Sequence, residues 1–303
     1  MSAASLAASA LPPSSITLGH RRRQRLALIG YLAPVTLFYV GFLILPYLSL
    51  LELSFFKYSS AKLYIPQFTL DNYVAVVTDS FYLLLMLRTL GLGLLVTVIT
   101  LLLGYPLALM IVRSPPKMKT MLIAIALSPL LINLVVRTYA WLVLLGDTGV
   151  INNWLKAIGL ISTPLPINGN WVSVTIGLVH ITLPLMVLSL VAVLENIDRK
   201  LAEAAESLGA TDMRVMRKII LPLSLPGIGS GSLLVFCFTI SAFVTPALLG
   251  GNRVSTVSTM IYQKFTFSAN WPVGATLVFI LLAMNVAVIA LHSRLFREEH
   301  GHV

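Results

Sequence analysis

The sequence is poor in cysteine and in charged residues. Cys237 is the single cysteine among 303 residues, which excludes an intrachain disulfide and a cysteine-based metal cluster. Asp, Glu, Lys and Arg together make up 11% of the chain, whereas hydrophobic residues make up 57%. This balance excludes an ordinary soluble domain and is typical of a multi-pass membrane protein.

The motifs of common enzymes are also missing. The sequence contains no G-x-x-x-x-G-K-[ST] phosphate loop, no H-E-x-x-H, no G-x-S-x-G and no paired aspartates within an apolar run. We therefore expect no enzymatic activity, metal site or cofactor on this chain, so that any ATP would be bound by another protein. His180 has no second histidine or acid at helical spacing, and we interpret it as a packed, hydrogen-bonded side chain.

Six apolar runs are long enough to cross about 30 Å of hydrocarbon. The first follows a basic cluster at 20–25 and is too long for the core of a signal peptide, so we predict an uncleaved membrane helix. Prolines in or beside several runs predict kinked or broken helices, and small residues at 227–232 predict close helix packing. The runs cover approximately 26–51, 89–112, 121–145, 172–194, 228–249 and 275–291.

The distribution of basic residues predicts the orientation of these spans. Fourteen of the 21 Lys and Arg lie in the two termini and in the loops 113–119 and 195–224. Since basic loops stay in the cytoplasm, we predict that both termini and both loops are cytoplasmic. The predicted organisation is a disordered, basic segment 1–25, a six-helix domain 26–295 and a tail 296–303. The net charge of +10 follows mostly from this topology and does not indicate nucleic-acid binding.

A polar stretch at about 199–222 interrupts the apolar runs and predicts two short helices. Gly209 suits the left-handed end of the first helix, Thr211 and Asp212 suit a hydroxyl cap and first turn of the second, and Pro222 is expected to stop it. Each helix has one apolar face with little of its own chain to cover it. These faces are Leu201, Ala204, Ala205 and Leu208 in the first helix, and Met213, Met216 and Ile220 in the second.

The spacing in this stretch resembles the EAA loop of the membrane subunits of binding-protein-dependent ABC importers. The shared pattern is Glu-Ala-Ala, three residues, Gly, nine residues, Ile, one residue, and Leu-Pro. The resemblance implies an all-α bundle of six transmembrane helices whose loop seats in a cleft of a cytoplasmic ATPase, with ATP and Mg²⁺ bound on that partner. The residues implied to couple the two proteins are Glu203, Ala204, Ala205, Gly209, Met213, Met216, Ile219, Leu221 and Pro222.

A second polar cluster lies within the third apolar run. Arg137 is costly there unless it faces a partner or a water-filled path, and Asn133, Arg137 and Trp141 share one helical face. We weigh a hydrogen-bonding stripe between helices equally with a lining of the path. The candidate path residues are Asn133, Arg137, Tyr139, Trp141 and Asp147.

A narrower resemblance is carried by Arg-Thr-Tyr-Ala-Trp at 137–141, Ala-Phe-Val-Thr-Pro at 242–246 and Asn-Trp-Pro at 270–272. These segments are similar to the first permease of spermidine/putrescine importers. The resemblance implies a bacterial inner-membrane heterodimer with a sister permease, a cytoplasmic ATPase dimer and an extracytoplasmic solute-binding protein.

The identity of the solute is less constrained than the importer class. No carboxylate lies inside a predicted span, and Arg137 facing the path would suit an anion better than a polyamine. An importer of the same class for an opine, an aminoethylphosphonate or an amino-acid-like solute is therefore the alternative. A secondary transporter or channel without an ATPase is a further alternative, which leaves the EAA spacing as chance.

Overall fold

The computed structural model describes residues 31–251 and 253–297, and this part of the chain is almost entirely helical. The predicted segment 1–25 and most of the predicted tail 296–303 lie outside the described residues. Backbone contacts divide the chain into two compact units, Met1–Glu52 and Leu53–Val303.

In the first unit the described residues form most of one helix, α1, which spans Tyr31–Ser54 and contains a π-helical turn at Val40–Ile44. The second unit begins with an antiparallel hairpin, in which β1 pairs with β2. The elements that follow α1 are β1 (Phe56–Ser59), β2 (Leu63–Phe68), α2 (Asp71–Thr78), α3 (Ser80–Arg113), α4 (Pro116–Leu131), α5 (Leu134–Leu145), α6 (Val150–Ala157), α7 (Trp171–Leu194), α8 (Arg199–Ser207), α9 (Asp212–Leu223), α10 (Leu225–Ser241), α11 (Val244–Leu249), α12 (Val257–Thr266) and α13 (Trp271–Arg297).

Among the described residues, five helical runs are long and apolar enough to cross a membrane. They are α1, α3, α7, α13 and the run Leu134–Ala157 formed by α5 and α6. The pair α9 and α10 is bent by 62° and gives a sixth span if it is counted as one. The general positions of the predicted spans are therefore found, but two of them differ in detail.

The third predicted span, 121–145, is not one helix, which agrees with the prediction that prolines break some of the spans. The chain leaves the helix at Ile132, whose backbone is extended, and α5 begins only after Asn133. Pro129 has no N–H to donate and weakens the end of α4, while the side chain of Asn133 accepts from the N–H of Val135 at 2.9 Å and caps a new helix. The span is therefore two helices joined at an extended residue.

The fifth predicted span, 228–249, is also not one helix. α10 starts earlier than predicted, at Leu225, and ends at Ser241. Ala242 is extended, with φ −64° and ψ 132°, and α11 resumes the helix at Val244. α11 packs against both α5 and α7, so the second segments of the two broken spans are neighbours.

The core of the second unit is formed by α3, α7 and α10, which pack against one another along their lengths. Glycines let these helices approach closely: a Cβ built on Gly231 would lie 2.8 Å from the sulfur of Met186, and one on Gly227 would lie 3.1 Å from the backbone oxygen of Ser189. The predicted packing role of the small residues at 227–232 is confirmed at these two positions. Such contact matters in a membrane, where lipid tails leave little hydrophobic drive for helices to associate.

The hairpin and α2 lie at the end of the bundle where α3 begins, and they are fixed to α13. Asn72 is buried and its amide donates to the carbonyl oxygens of Ser54 and Phe56 at 2.9 and 2.8 Å. Thr276 in α13 donates to the same Ser54 carbonyl at 3.2 Å, and the hydroxyls of Ser54 and Tyr73 are 2.8 Å apart. Buried hydrogen bonds therefore fix this end of the bundle. It lies at the opposite end of α3 from the helices α8 and α9.

Candidate functional site

The helix α8 and its following turn have the conformation that the sequence predicts. Asp198 caps the start of α8 by accepting from the N–H of Lys200 at 3.0 Å. Gly209 ends the helix with φ +83°, a left-handed conformation that disfavours side chains with a Cβ. The N–H groups of Gly209 and Ala210 donate to carbonyls of the last turn at 2.9 and 3.0 Å, so the turn is closed by its own backbone.

Two details of the second helix differ from the prediction. Thr211 stands at the N-cap, but its side chain makes no capping hydrogen bond, so the predicted hydroxyl cap is wrong. Pro222 does not stop the helix, because α9 continues to Leu223. A π-helical turn at Met216–Ile220 puts Pro222 in the first turn of a new helical segment, where a missing N–H costs little.

The hairpin of α8 and α9 presents apolar side chains that the described chain does not cover. Leu208 is 89% exposed and Met213 is 66% exposed. A Cβ added at Gly209 would have no atom within 4 Å, so the turn itself projects into open space. The remaining predicted coupling residues divide into exposed Glu203, Ala204, Leu221 and Pro222, and half-buried Ala205, Met216 and Ile219.

A cavity of about 500 Å³ lies on the inner side of this hairpin, at the end of the bundle where α3 and α7 finish. Glu203 and Ile219 line it, and Glu203 is also exposed at the surface of the hairpin. The amine of Lys119 in α4 lies 2.7 Å from a carboxylate oxygen of Glu195, just after α7. The charged residues that line the cavity are Arg113, Lys119, Glu195, Asp198, Glu203, Glu206 and Asp212.

The sequence analysis did not predict that most of these charged residues lie around one cavity. The basic loop at 113–119 was used to predict orientation, and its proximity to the hairpin follows only from the packing of α3, α4 and α7. A partial signal was available, because the basic loop 113–119 lies on the same predicted side of the membrane as the segment 195–212, which has five acidic and two basic residues.

Arg137 is buried, with 6% of its surface exposed, and it bridges the break between α4 and α5. Its Nη1 atom donates to the carbonyl oxygen of Pro129 in α4. This bond supplies a donor to a carbonyl at the end of α4, and the side chain of Asn133 supplies an acceptor to the first N–H groups of α5. The geometry favours the hydrogen-bonding interpretation of these two residues over a lining of the path.

Trp141 connects α5 to α7. Its indole N–H donates to Nδ1 of His180 at 3.0 Å, and the two rings lie 5.4 Å apart in an edge-on arrangement. This confirms the prediction that His180 is a packed, hydrogen-bonded residue. Because Nδ1 accepts a hydrogen bond, the neutral imidazole carries its proton on Nε2.

The remaining two path candidates lie apart from this network. Tyr139 is exposed on another face of α5. Asp147 follows α5 and lines a separate cavity of about 390 Å³, with Arg253 and Asn168, at the end where α7 begins. The structure therefore does not bring the five predicted path residues together in one site.

Comparisons with known proteins agree with this geometry. Residues 141–298 match the family model described as the binding-protein-dependent transport system inner membrane component. The spermidine/putrescine transport system permease protein PotB of Haemophilus influenzae is 33% identical over 84% of this chain and 89% of its own length. PotB of Escherichia coli is 34% identical over 82% of this chain and 91% of its own length.

A third relative and one solved structure extend the comparison. The inner membrane ABC transporter permease protein YdcU of Escherichia coli is 32% identical over 87% of this chain and 88% of its own length. A chain of a bacterial alginate ABC transporter, in complex with its alginate-bound periplasmic protein, superposes with a TM-score of 0.75 at 20% identity, over 94% of this chain and 98% of that one. The chain belongs to the family of inner membrane components of binding-protein-dependent transport systems.

Proposed function

We propose that this chain is one of two permease subunits of an ATP-driven importer that carries a polyamine, such as spermidine or putrescine, across the bacterial inner membrane. The observation that carries the coupling role is the hairpin of α8 and α9, with the complete EAA spacing, a left-handed Gly209 in open space and an uncovered Leu208. The polyamine assignment is supported by the PotB relatives, which match more than four fifths of this chain.

The proposed topology has six spans, with α9 and α10 counted as one, and cytoplasmic termini. The excess of Lys and Arg in the termini and in the loops 113–119 and 195–224 supports this orientation. The proposed segments remain 1–25, 26–295 and 296–303, with the coupling loop at 199–222.

In the proposed mechanism the hairpin seats in a cleft of the cytoplasmic ATPase, which binds ATP and Mg²⁺. Leu208 and Met213 supply adaptable apolar contact, while Ala204 and Gly209 permit close approach. Glu203 offers a carboxylate to a basic partner group, and Ile219, Leu221 and Pro222 continue the hairpin toward α10. Closure of the ATPase dimer then reorients the spans between two states that open to opposite sides.

Arg137 keeps its positive charge, but its hydrogen bond to the Pro129 carbonyl turns the guanidinium toward the break between α4 and α5. Tyr139 is exposed on α5 and can face an ammonium group. We propose that the sister permease completes the path and that the solute-binding protein delivers the polyamine to the end where Asp147 lies. Uptake of labelled spermidine, in competition with an opine, an aminoethylphosphonate and an amino acid, distinguishes polyamine import from the alternative solutes.

The experiment that tests coupling compares Gly209→Leu with Gly159→Leu. Both glycines have positive φ, +83° and +74°, and both have open space where a side chain would go, so the two substitutions impose the same backbone strain. We expect Gly209→Leu to lower ATP-driven uptake by about tenfold while ATP hydrolysis continues. A loss of about 1.4 kcal/mol in the free energy of binding between the hairpin and the ATPase is sufficient for this change.

Gly159 follows α6, at the other end of the bundle, and its substitution is expected to leave uptake near the wild-type level. Normal transport by Gly209→Leu, or an equal loss in both variants, contradicts the coupling role. Uptake by this chain without an ATPase supports the secondary-transporter alternative instead.

A further inference from the structure

The junction between α9 and α10 is held by a buried hydroxyl pair. Ser224 lies at the 62° bend between these helices and has no exposed surface. Its Oγ atom is 3.0 Å from the hydroxyl oxygen of Tyr105, which belongs to α3. The bend through which the coupling hairpin continues into the membrane is therefore attached to the longest helix of the core.

The direction of this hydrogen bond follows from the second contact of Ser224. Its Oγ donates to the carbonyl oxygen of Leu221 at 2.8 Å, which uses its single proton. The Tyr105 hydroxyl must then donate to Ser224 Oγ. The serine hydroxyl thus adds a bond to a carbonyl on the α9 side of the bend and at the same time accepts a bond from α3.

Prolines stand close to both residues of this hydrogen bond in the sequence. Pro222 and Pro226 stand on either side of Ser224, and a proline cannot donate to the carbonyl four residues before it. Pro106, which follows Tyr105 inside α3, likewise cannot donate to the carbonyl four residues before it, although α3 continues through it to Arg113. The hydroxyl pair therefore joins two helices at the places where each can bend at low cost.

The hydrogen bond of Tyr105 connects the bend to α3, a connection that the backbone does not provide. α10 follows α9 in sequence, so movement of the hairpin reaches α10 through the backbone. α3 is far away in sequence, and its end packs around the cavity behind the hairpin. Tyr105 links movement of the bend to α3 directly, through a side chain.

We propose that Tyr105 is a positioning residue for coupling, whose hydrogen bond to Ser224 makes α3 move together with the junction of α9 and α10. This inference rests on the proposed coupling role of the hairpin and names a residue outside the EAA loop that takes part in it. Loss of the bond leaves only the packing of α3 against α10 to carry movement of the hairpin into α3.

The test uses Tyr105→Phe in the complete importer, reconstituted in vesicles with the sister permease, the ATPase and the solute-binding protein. The variant keeps the ring and removes only the donor. We expect the amount of spermidine transported per ATP hydrolysed to fall about fivefold, in line with the loss of one buried hydrogen bond, while the assembled complex is recovered in normal amounts.

Tyr73→Phe is the matched control. Its hydroxyl pairs with Ser54 Oγ at 2.8 Å, so the same substitution removes a tyrosine–serine bond at the end of the bundle away from the hairpin. We expect the transport ratio of this variant to stay at the wild-type value. An equal fall in both variants, or no fall in Tyr105→Phe, overturns the proposal.

A double-mutant cycle with Ser224→Ala separates the bond from other effects. If Tyr105 acts through Ser224, the double variant is expected to lose no more coupling than Ser224→Ala alone, and additive losses overturn the proposal. A wild-type complex that takes up solute without ATP overturns the proposed function itself. ATP-driven uptake with an unchanged ratio in Tyr105→Phe overturns only the role of Tyr105.

Discussion

At the scale of single residues, several polar side chains in the apolar part of this chain bond to backbone groups near helix breaks. Arg137 donates to the Pro129 carbonyl across the break between α4 and α5, and Ser224 donates to the Leu221 carbonyl at the bend before α10. In hydrocarbon an unpaired carbonyl is costly, so a broken span needs such donors nearby. A polar residue in an apolar run can therefore indicate a break in the helix as well as a transport path.

Arg137→Met tests this assignment. It removes the donor to Pro129 from a buried site, and we expect it to destabilise the purified protein by about 1–3 kcal/mol. The measurement is the thermal unfolding midpoint in detergent, with Arg88→Met, at an exposed position of α3, as the control expected to change little. An unchanged midpoint together with an altered preference between spermidine and anionic solutes would instead identify Arg137 as a residue of the path.

At the scale of helices, the sequence predicts where apolar runs lie but not where they break. Pro129 shows that α4 is weakened near its end, yet a proline can kink a helix or end it. The outcome depends on whether Asn133 caps a new helix and whether Arg137 reaches the freed carbonyl. At the second break, Pro246 lies within the predicted span 228–249 and cannot donate to the Ala242 carbonyl, so the sequence indicates a break there but not that α10 ends at Ser241.

The EAA hairpin was more predictable because its conformation is local. The left-handed turn at Gly209 and the start of α8 after Asp198 depend on residues only a few positions away. The cavity behind the hairpin was not predictable in this way, since Lys119 and Glu195 meet only after α4 and α7 have packed.

The contact between α7 and α10 gives a prediction at this scale. A Cβ at Gly227 would lie 3.0 Å from Cβ of Val193 and 3.1 Å from the backbone oxygen of Ser189, neither of which can move freely. We expect Gly227→Ala to cost about 1–3 kcal/mol through overpacking. Thermal unfolding of the purified protein measures the change.

Gly91→Ala is the control for this prediction, because a Cβ there would have no atom within 4 Å. In the interior of α3 the added methyl group is expected to be neutral or to stabilise the helix by up to about 1 kcal/mol. Equal destabilisation of the two variants would show that close packing at Gly227 is not the cause.

At the scale of the whole second unit, the two ends of the helical bundle are chemically different. One end carries α8, α9 and the charged cavity, while the other carries the β-hairpin, α2 and the cavity beside Asp147. α3 connects the two ends, since Tyr105 contacts Ser224 near one and Thr89 accepts from the N–H of Val257 near the other, at 3.1 Å. A helix of 34 residues held at both ends is suited to transmit a displacement along the bundle.

The proposed orientation of these ends can be tested with two single cysteines. Cys237→Ser removes the native thiol, and Leu208→Cys or Leu160→Cys then introduces one at a leucine that is 89% or 70% exposed. Since basic loops are retained in the cytoplasm, a membrane-impermeant maleimide is expected to label Cys at 160 in cells with a permeabilised outer membrane, and Cys at 208 only after lysis. Labelling at 208 in intact inner membranes would put the hairpin on the side without ATP, where it could not contact a cytoplasmic ATPase.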